Sequence, residues 1–392
     1  MTTAQIPANG TPQRSRLPAL TGMRFIAAAA VFLFHAMYQM FFASTQAQAD
    51  YTSIFGRAGY LGVGFFFVLS GFVLTWSVRD EDTTPRFWRR RFFKIYPNHL
   101  LTFVAAFILL TTVSGAVVEK KPAILNFFLL QAWFPQFEIN NSVNNISWSL
   151  SCEALFYLAF PLLFALIRRI RPERLWAWAA VVVVGIFAVP FVSLLLPDPE
   201  QLAWMPASRN QFWFIYFFPP ARLLDFIFGI VLARIVLAGR KLPLGVGGAV
   251  ALAVTAYALA PLAWGKFSFV AITVVPIGLV IAAGAVADAE GRRTWLASPA
   301  MVWLGNVSFA FYLWHFMVLT YGHHWLGDGS NFSTPVALGV IALLGGVTLL
   351  LSWLTFTLFE RPIMQRFANP RRPLATATAP TPEPAPEPVP AK

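Results

Sequence analysis

Apolar positions in this chain run together in long blocks instead of alternating as in a half-buried strand. About 20 predominantly apolar residues are enough for a helix to cross the hydrocarbon core of a bilayer. Windows of that length predict ten spans, at 20–42, 59–78, 97–118, 147–167, 175–196, 211–235, 243–263, 268–287, 299–322 and 334–359. A further apolar stretch at 123–133 is too short to cross and reads as an interfacial or re-entrant piece. The pattern therefore predicts an all-α integral membrane protein, with about ten transmembrane helices in one bundle. It divides the chain into a short polar segment at 1–19, a membrane domain at 20–362 and a tail at 363–392. The tail carries proline at almost every second position near its end, and such a segment is expected to be extended and disordered.

Composition agrees with the pattern. Of the 392 residues, 57% are hydrophobic and 12% charged, whereas soluble domains average about 45–50% and 25%. So little charge cannot cover the surface of a soluble globule this large. The formal net charge of +12 does not imply nucleic acid, because the basic residues sit in short clusters between apolar runs. Most of the 29 lysines and arginines fall in alternate loops, while Arg57, Lys120, Lys121, Arg209 and Lys266 fall in the others. The positive-inside rule then places both termini in the cytoplasm. The single cysteine, Cys152, excludes a disulfide framework and a cysteine-built metal site. The adjacent His323 and His324 lack a third ligand nearby, so neither a metal nor a permanently bound cofactor is expected.

Ionisable residues inside spans are costly and mark candidate function. Here they are Arg24, His35, Glu153, Arg222, Asp225 and His315, with His99 near a helix end. Arg24 and His35 lie eleven residues apart, which puts them about 20° apart on one helix face and about 16 Å apart along it. This suits an anion held at the mouth of a channel and a proton acceptor deeper in it; a snorkelling arginine and a histidine bonded to a neighbouring helix would look the same. Glu153 lies among Trp148, Ser149, Ser151, Phe156 and Tyr157, as an acid, a base, an orienting group or half of an ion pair with Arg222 or Arg24. Arg222 and Asp225 share a helix face at a spacing of three and are expected to pair. His315 either bonds across helices or lines the cavity.

The stretch RFWRRRFFKIYP at 86–97 reads as a basic cytoplasmic loop before the third span. Arg89, Arg90, Arg91 and Lys94 could hold phosphates there, although any inner loop should be basic. The glycines from Gly59 to Gly71 form no nucleotide loop, since no strand precedes them, and they suit close helix packing. Ser70 has no base nearby in sequence and no residue stands out as a covalent nucleophile.

Several short motifs occur in a recognisable order. Arg24 and His35 on the first span are followed by Phe66, Phe67, Ser70 and Gly71, then by Arg90, Arg91, Lys94, Tyr96 and Pro97. Trp148, Ser149, Leu150, Ser151, Glu153, Phe156 and Tyr157 come next, then Leu304, Gly305, Ser308, Tyr312, Leu313 and His315, and finally Glu360, Arg361 and Pro362. Taken together they resemble the acyltransferase-3 family of multi-pass membrane proteins, from about Leu17 to Pro362. That resemblance implies acyl-CoA as the donor substrate, a hydroxyl-bearing acceptor and the lipid bilayer as partners. It implies His35 as general base, Glu153 as an active-site carboxylate, and Arg24, Arg89, Arg90, Arg91 and Lys94 as coenzyme A contacts. Ser70, Trp148, Ser149, Ser151, Tyr157, Arg222 and His315 are the candidate pocket lining. One departure is Lys94, where the family commonly carries arginine with its bidentate fork. The acceptor classes left open are an envelope carbohydrate and a glycosylated secondary metabolite of the macrolide type. The alanine-, proline- and arginine-rich composition suits a bacterial plasma membrane protein. Competing readings are a transporter or flippase for a glycolipid or small molecule, and an acyl translocator serving a partner enzyme.

Overall fold

The computed structural model describes residues 16–368 apart from 79–81, 198–201, 203–205 and 328–330. Residues 1–15 of the predicted N-terminal segment and the tail beyond 368 lie outside the described residues. Within them the chain is helical and contains no strand, with a single isolated bridge between Phe42 and Phe332. The main helices are α1 (Pro18–Ala36), α2 (Thr45–Phe55), α3 (Ala58–Ser77), α4 (Thr84–Thr112), α5 (Lys120–Phe127) and α6 (Trp148–Ile167). They continue with α7 (Leu175–Val192), α8 (Pro219–Leu237), α9 (Val246–Leu259), α10 (Ala271–Ala289), α11 (Pro299–Gly327) and α12 (Thr334–Thr355). Proline opens α1, α8 and α11, where its missing N–H costs nothing.

Each predicted span contains a helix, but the described residues hold 8 helices long and apolar enough to cross a membrane, plus a shorter apolar one at Val246–Leu262. The remaining predicted span coincides with α8, whose 19 residues include Arg222, Asp225 and Arg234. Leu158, Leu162, Val181, Val184 and Leu343 stand exposed on the outside of the bundle, while Thr102, Asn126, Arg222, Asp225 and His315 are buried inside. A soluble monomer rarely exposes apolar surface so widely. Against lipid this distribution is the favourable one, since polar groups must be satisfied within the bundle.

The bundle is centred on α3, which packs between α1 and α8. At the α3–α8 crossing the backbones touch: a Cβ on Gly71 would lie 2.0 Å from the Phe226 carbonyl oxygen, and one on Gly229 2.0 Å from that of Val68. Only glycine allows such an approach, and this is why small residues mark helix contacts in membranes. Gly59, Gly62 and Gly71 of α3 are therefore packing residues.

Two segments differ from the sequence-based expectation. The basic stretch at 86–97 is not a loop but the first turns of α4, a helix of 29 residues. At about 1.5 Å per residue α4 is about 43 Å long, more than the roughly 30 Å core, so its charged end extends past the hydrocarbon. The short stretch at 123–133 forms α5 and a turn of 3-10 helix at Gln131–Trp133. It is held by a buried polar network. The Asn126 carbonyl oxygen lies 3.0 Å from His99 Nε2, and the Asn126 and Gln131 side-chain amides each donate to Ser147 Oγ at 3.1 Å. Ser147 immediately precedes α6, so these bonds fix where Trp148, Ser149 and Glu153 begin their helix. His99 is thus part of the scaffold.

Candidate active site

The shared face of Arg24 and His35 on α1 opens onto two adjoining cavities. His35, half-buried, lines a cavity of about 350 Å³ with Tyr38, Tyr60, Asn141, Asn145, Trp148 and Tyr216. Its Nδ1 lies 2.9 Å from Nε2 of the fully buried His315, whose Nδ1 in turn lies 2.5 Å from the Tyr312 carbonyl oxygen. Arg24, about three helical turns away, lines a second cavity of about 160 Å³ with Ser70, Arg91, Lys94, Ser149, Glu153 and Tyr157. The two cavities share Val63 and Tyr312 as a common wall.

Glu153 does not touch His35. Its Oε2 accepts a hydrogen bond from Tyr157 Oη at 3.2 Å, and Ser70 Oγ donates to the same Tyr157 oxygen at 3.5 Å. Ser149 Oγ lies 2.9 Å from Tyr312 Oη. The carboxylate therefore shares its cavity with three cations, Arg24, Arg91 and Lys94, without a direct ion pair among the described residues. Lys94 is already neutralised by Glu360, which also accepts from Asn98 at 2.7 Å. Hence Glu360, read in the sequence only as the close of the last span, anchors a cation of the site.

A third cavity of about 680 Å³ adjoins the second at Leu74 and Arg91. Arg90, Arg91, Arg168, Arg169, Arg234 and Asp82 supply its charge. Arg90 is held there by two 2.8 Å bonds to Asp82, and Arg91 lies over the Phe87 and Tyr157 rings at 5.7 and 5.8 Å. Arg89 is two residues before Arg91, about 200° around the helix, and it donates instead to the Phe367 carbonyl at 2.7 Å. Among the candidate coenzyme A contacts, it is the one that the structure turns away from the cavities. Arg168, Arg169 and Arg234 belong to the basic residues of alternate loops that the positive-inside rule already explains. Their type and position fit either purpose, and nothing in their spacing shows that α6 and α8 bring them beside Arg91.

Three further candidates do not line these cavities. Arg222 pairs with Asp225 at 2.8 Å, the two side chains being 1% and 0% exposed. It lies over the Phe67 and Tyr216 rings at 5.1 and 5.6 Å, so it supports the cavity wall from behind. Ser151 is buried on another side of α6, and His315 reaches the site only through His35.

Half-buried cations, a carboxylate and an imidazole lie along adjoining cavities inside a lipid-facing bundle, an arrangement suited to a membrane-embedded enzyme. A family model described as an acyltransferase domain matches residues 17–357, and the chain belongs to this acyltransferase-3 family. Acyltransferase MdmB of Streptomyces mycarofaciens is 41% identical over 377 residues, which cover 93% of this chain and 96% of that protein. The peptidoglycan O-acetyltransferase OatA of Listeria monocytogenes is 23% identical over 78% of this chain and 50% of its own length. The O-acetyltransferase OatA of Staphylococcus aureus is 24% identical over 89% of this chain and 57% of its own. The chain thus matches little more than half of each OatA protein. No solved structure matches it. The protein is a membrane O-acyltransferase.

Proposed function

We propose that this enzyme transfers an acetyl or other acyl group from acyl-CoA to a carbohydrate hydroxyl, with His35 as general base. The observation that carries the reading is the run of cavities from an arginine-lined mouth, past Arg24, to His35. Coenzyme A phosphates suit Arg90, Arg91, Arg168, Arg169 and Arg234, because guanidinium groups bind phosphate oxygens by charge-assisted bonds. The pantetheine arm then runs along the Arg24 cavity, where Glu153 accepts an amide N–H, and brings the thioester to the wall shared with the His35 cavity. The acceptor enters on the other side of that wall. Tyr38, Tyr60, Trp148 and Tyr216 offer apolar faces to a sugar ring, and Asn141 and Asn145 offer hydrogen bonds.

In the reaction the acceptor oxygen attacks the thioester carbonyl carbon. The new C–O bond forms as the C–S bond breaks; His35 takes the hydroxyl proton and passes it to the departing thiolate, giving ester and free coenzyme A. A neutral imidazole suits this role near neutral pH. Transfer is direct, since no nucleophile with an adjacent base lines the cavities among the described residues. The arginine-lined mouth faces the cytoplasm, as do both termini, in a bacterial plasma membrane. Relatives named O-acetyltransferases support a hydroxyl acceptor, and the one named for peptidoglycan supports a sugar. The acceptor is then a sugar hydroxyl, carried either by a glycosylated small molecule of the macrolide type or by an envelope glycan.

The test uses full-length protein in nanodiscs, radiolabelled acetyl-CoA, and a glycosylated macrolide or a muramyl glycan as acceptor. Labelled ester and free thiol should appear in equal amounts and only with acceptor present. Label bound covalently to the protein in its absence would contradict direct transfer.

A further inference from the structure

We infer that His315 acts as a positioning residue, holding the neutral His35 imidazole in its Nδ1–H tautomer so that Nε2 is the nitrogen available as base. The inference rests on the proposed role of His35 for its catalytic meaning. The tautomer itself follows from the hydrogen bonds together with a neutral His315. The Tyr312 carbonyl can only accept, so His315 Nδ1, 2.5 Å away, carries a hydrogen. A neutral His315 therefore has a lone pair on Nε2. His35 Nδ1 lies 2.9 Å from that lone pair and must be the donor. Its own Nε2 is then unprotonated, in a ring that lines the acceptor cavity.

The alternative is a cationic His315 donating to His35. That would place a charge on a side chain that is 0% exposed, packed beside Phe32, Tyr312 and His35 and without a carboxylate partner among the described residues. Such an uncompensated burial is strongly unfavourable. The neutral arrangement has a further consequence. When Nε2 takes the acceptor proton, the Nδ1–H···Nε2 bond to His315 becomes charge-assisted and strengthens. A third group thus orients the base and stabilises its protonated form.

The experiment combines kinetics with nitrogen spectra of full-length protein in nanodiscs. Steady-state rates with acetyl-CoA and acceptor are measured for His315→Leu, which removes the acceptor atom, and His315→Gln, whose amide oxygen can replace Nε2. Ring-¹⁵N-labelled histidine reports the tautomer, the His35 signals being assigned by their loss in His35→Gln. The wild type should show a protonated Nδ1 and a bare Nε2 on His35. His315→Leu should lower kcat about 10–100-fold, as for loss of a hydrogen bond to a charged group, with the KM of both substrates little changed. His315→Gln should recover most of that loss. A wild-type His35 protonated on Nε2, or equal kcat in the two variants, overturns the inference. Should His315→Leu fail to fold, the wild-type spectrum decides alone. A His35→Gln variant with full activity would remove the base reading, and the spectrum would still uphold or overturn the hold by His315.

Discussion

Asp225→Asn should destabilise the bundle far more than its conservative chemistry suggests, and a second substitution should reverse the damage. Arg222 and Asp225 lie 2.8 Å apart, both essentially without solvent. At an effective dielectric near 20 their attraction is about 6 kcal/mol, set against a desolvation cost of several kcal/mol for each ion. The geometry gives little more: neither Asp225 oxygen nor Arg222 Nη2 makes a well-directed hydrogen bond in the described structure. The pair is therefore close to neutral in net worth, whereas a single removal leaves a buried guanidinium uncompensated. Breaking such a pair costs about 3–5 kcal/mol. The Phe67 and Tyr216 rings beneath Arg222 offset part of this, since a desolvated cation–π contact contributes about 2 kcal/mol. Thermal melts of detergent-purified protein, followed by size-exclusion fluorescence, should place Asp225→Asn several degrees below wild type. Arg222→Met combined with Asp225→Leu should recover most of the loss and retain turnover, because neither side chain lines a cavity. A single variant that melts like wild type, or a double variant no better than the single, would refute the reasoning.

Other outcomes follow from the same structure. Gly71→Ala should abolish folded protein in size-exclusion profiles, because its Cβ meets the Phe226 carbonyl at 2.0 Å; Gly64→Ala, whose nearest neighbour is 3.6 Å away, should fold normally. Arg91→Ala should raise the donor KM about 10–100-fold, as for loss of a charged hydrogen bond, while Arg89→Ala should leave it unchanged, read from initial rates over a range of acetyl-CoA concentrations. Glu153→Gln should lower kcat/KM for the donor by about 10-fold or more, on the same scale of a charged hydrogen bond, with a smaller effect on the acceptor, measured by varying each substrate in turn.

The bundle was legible because its apolar runs need no partner to be recognised. Pro219–Leu237 departs from that rule, since Arg222, Asp225 and Arg234 make it a helix only a folded interior can accept. The face shared by Arg24 and His35 was also legible, as helical rotation is local arithmetic. Contacts between helices were not. His315 lies 280 positions from His35, and a histidine near the end of the chain carries no sign of which helix it faces. The same holds for Glu360, which meets Lys94 across 266 positions. The stretch at 86–97 misled for a different reason. Basic residues after a gap in hydropathy suggest a loop, whereas here the helix simply continues beyond the membrane and so sends Arg89 and Arg91 to opposite sides. Arg168, Arg169 and Arg234 were hidden behind a second explanation, because topology alone demands positive charge on inner loops.

The central claim is that His35 accepts the proton of the attacking hydroxyl. Its most direct test is the initial rate of ester formation from labelled acetyl-CoA by His35→Ala in nanodiscs, at saturating donor and acceptor and matched for folded protein. The account predicts a rate about 10²–10⁴-fold below wild type, the range typical of a lost general base, with the donor KM little changed. A His35→Ala enzyme turning over within a few-fold of wild type would contradict it.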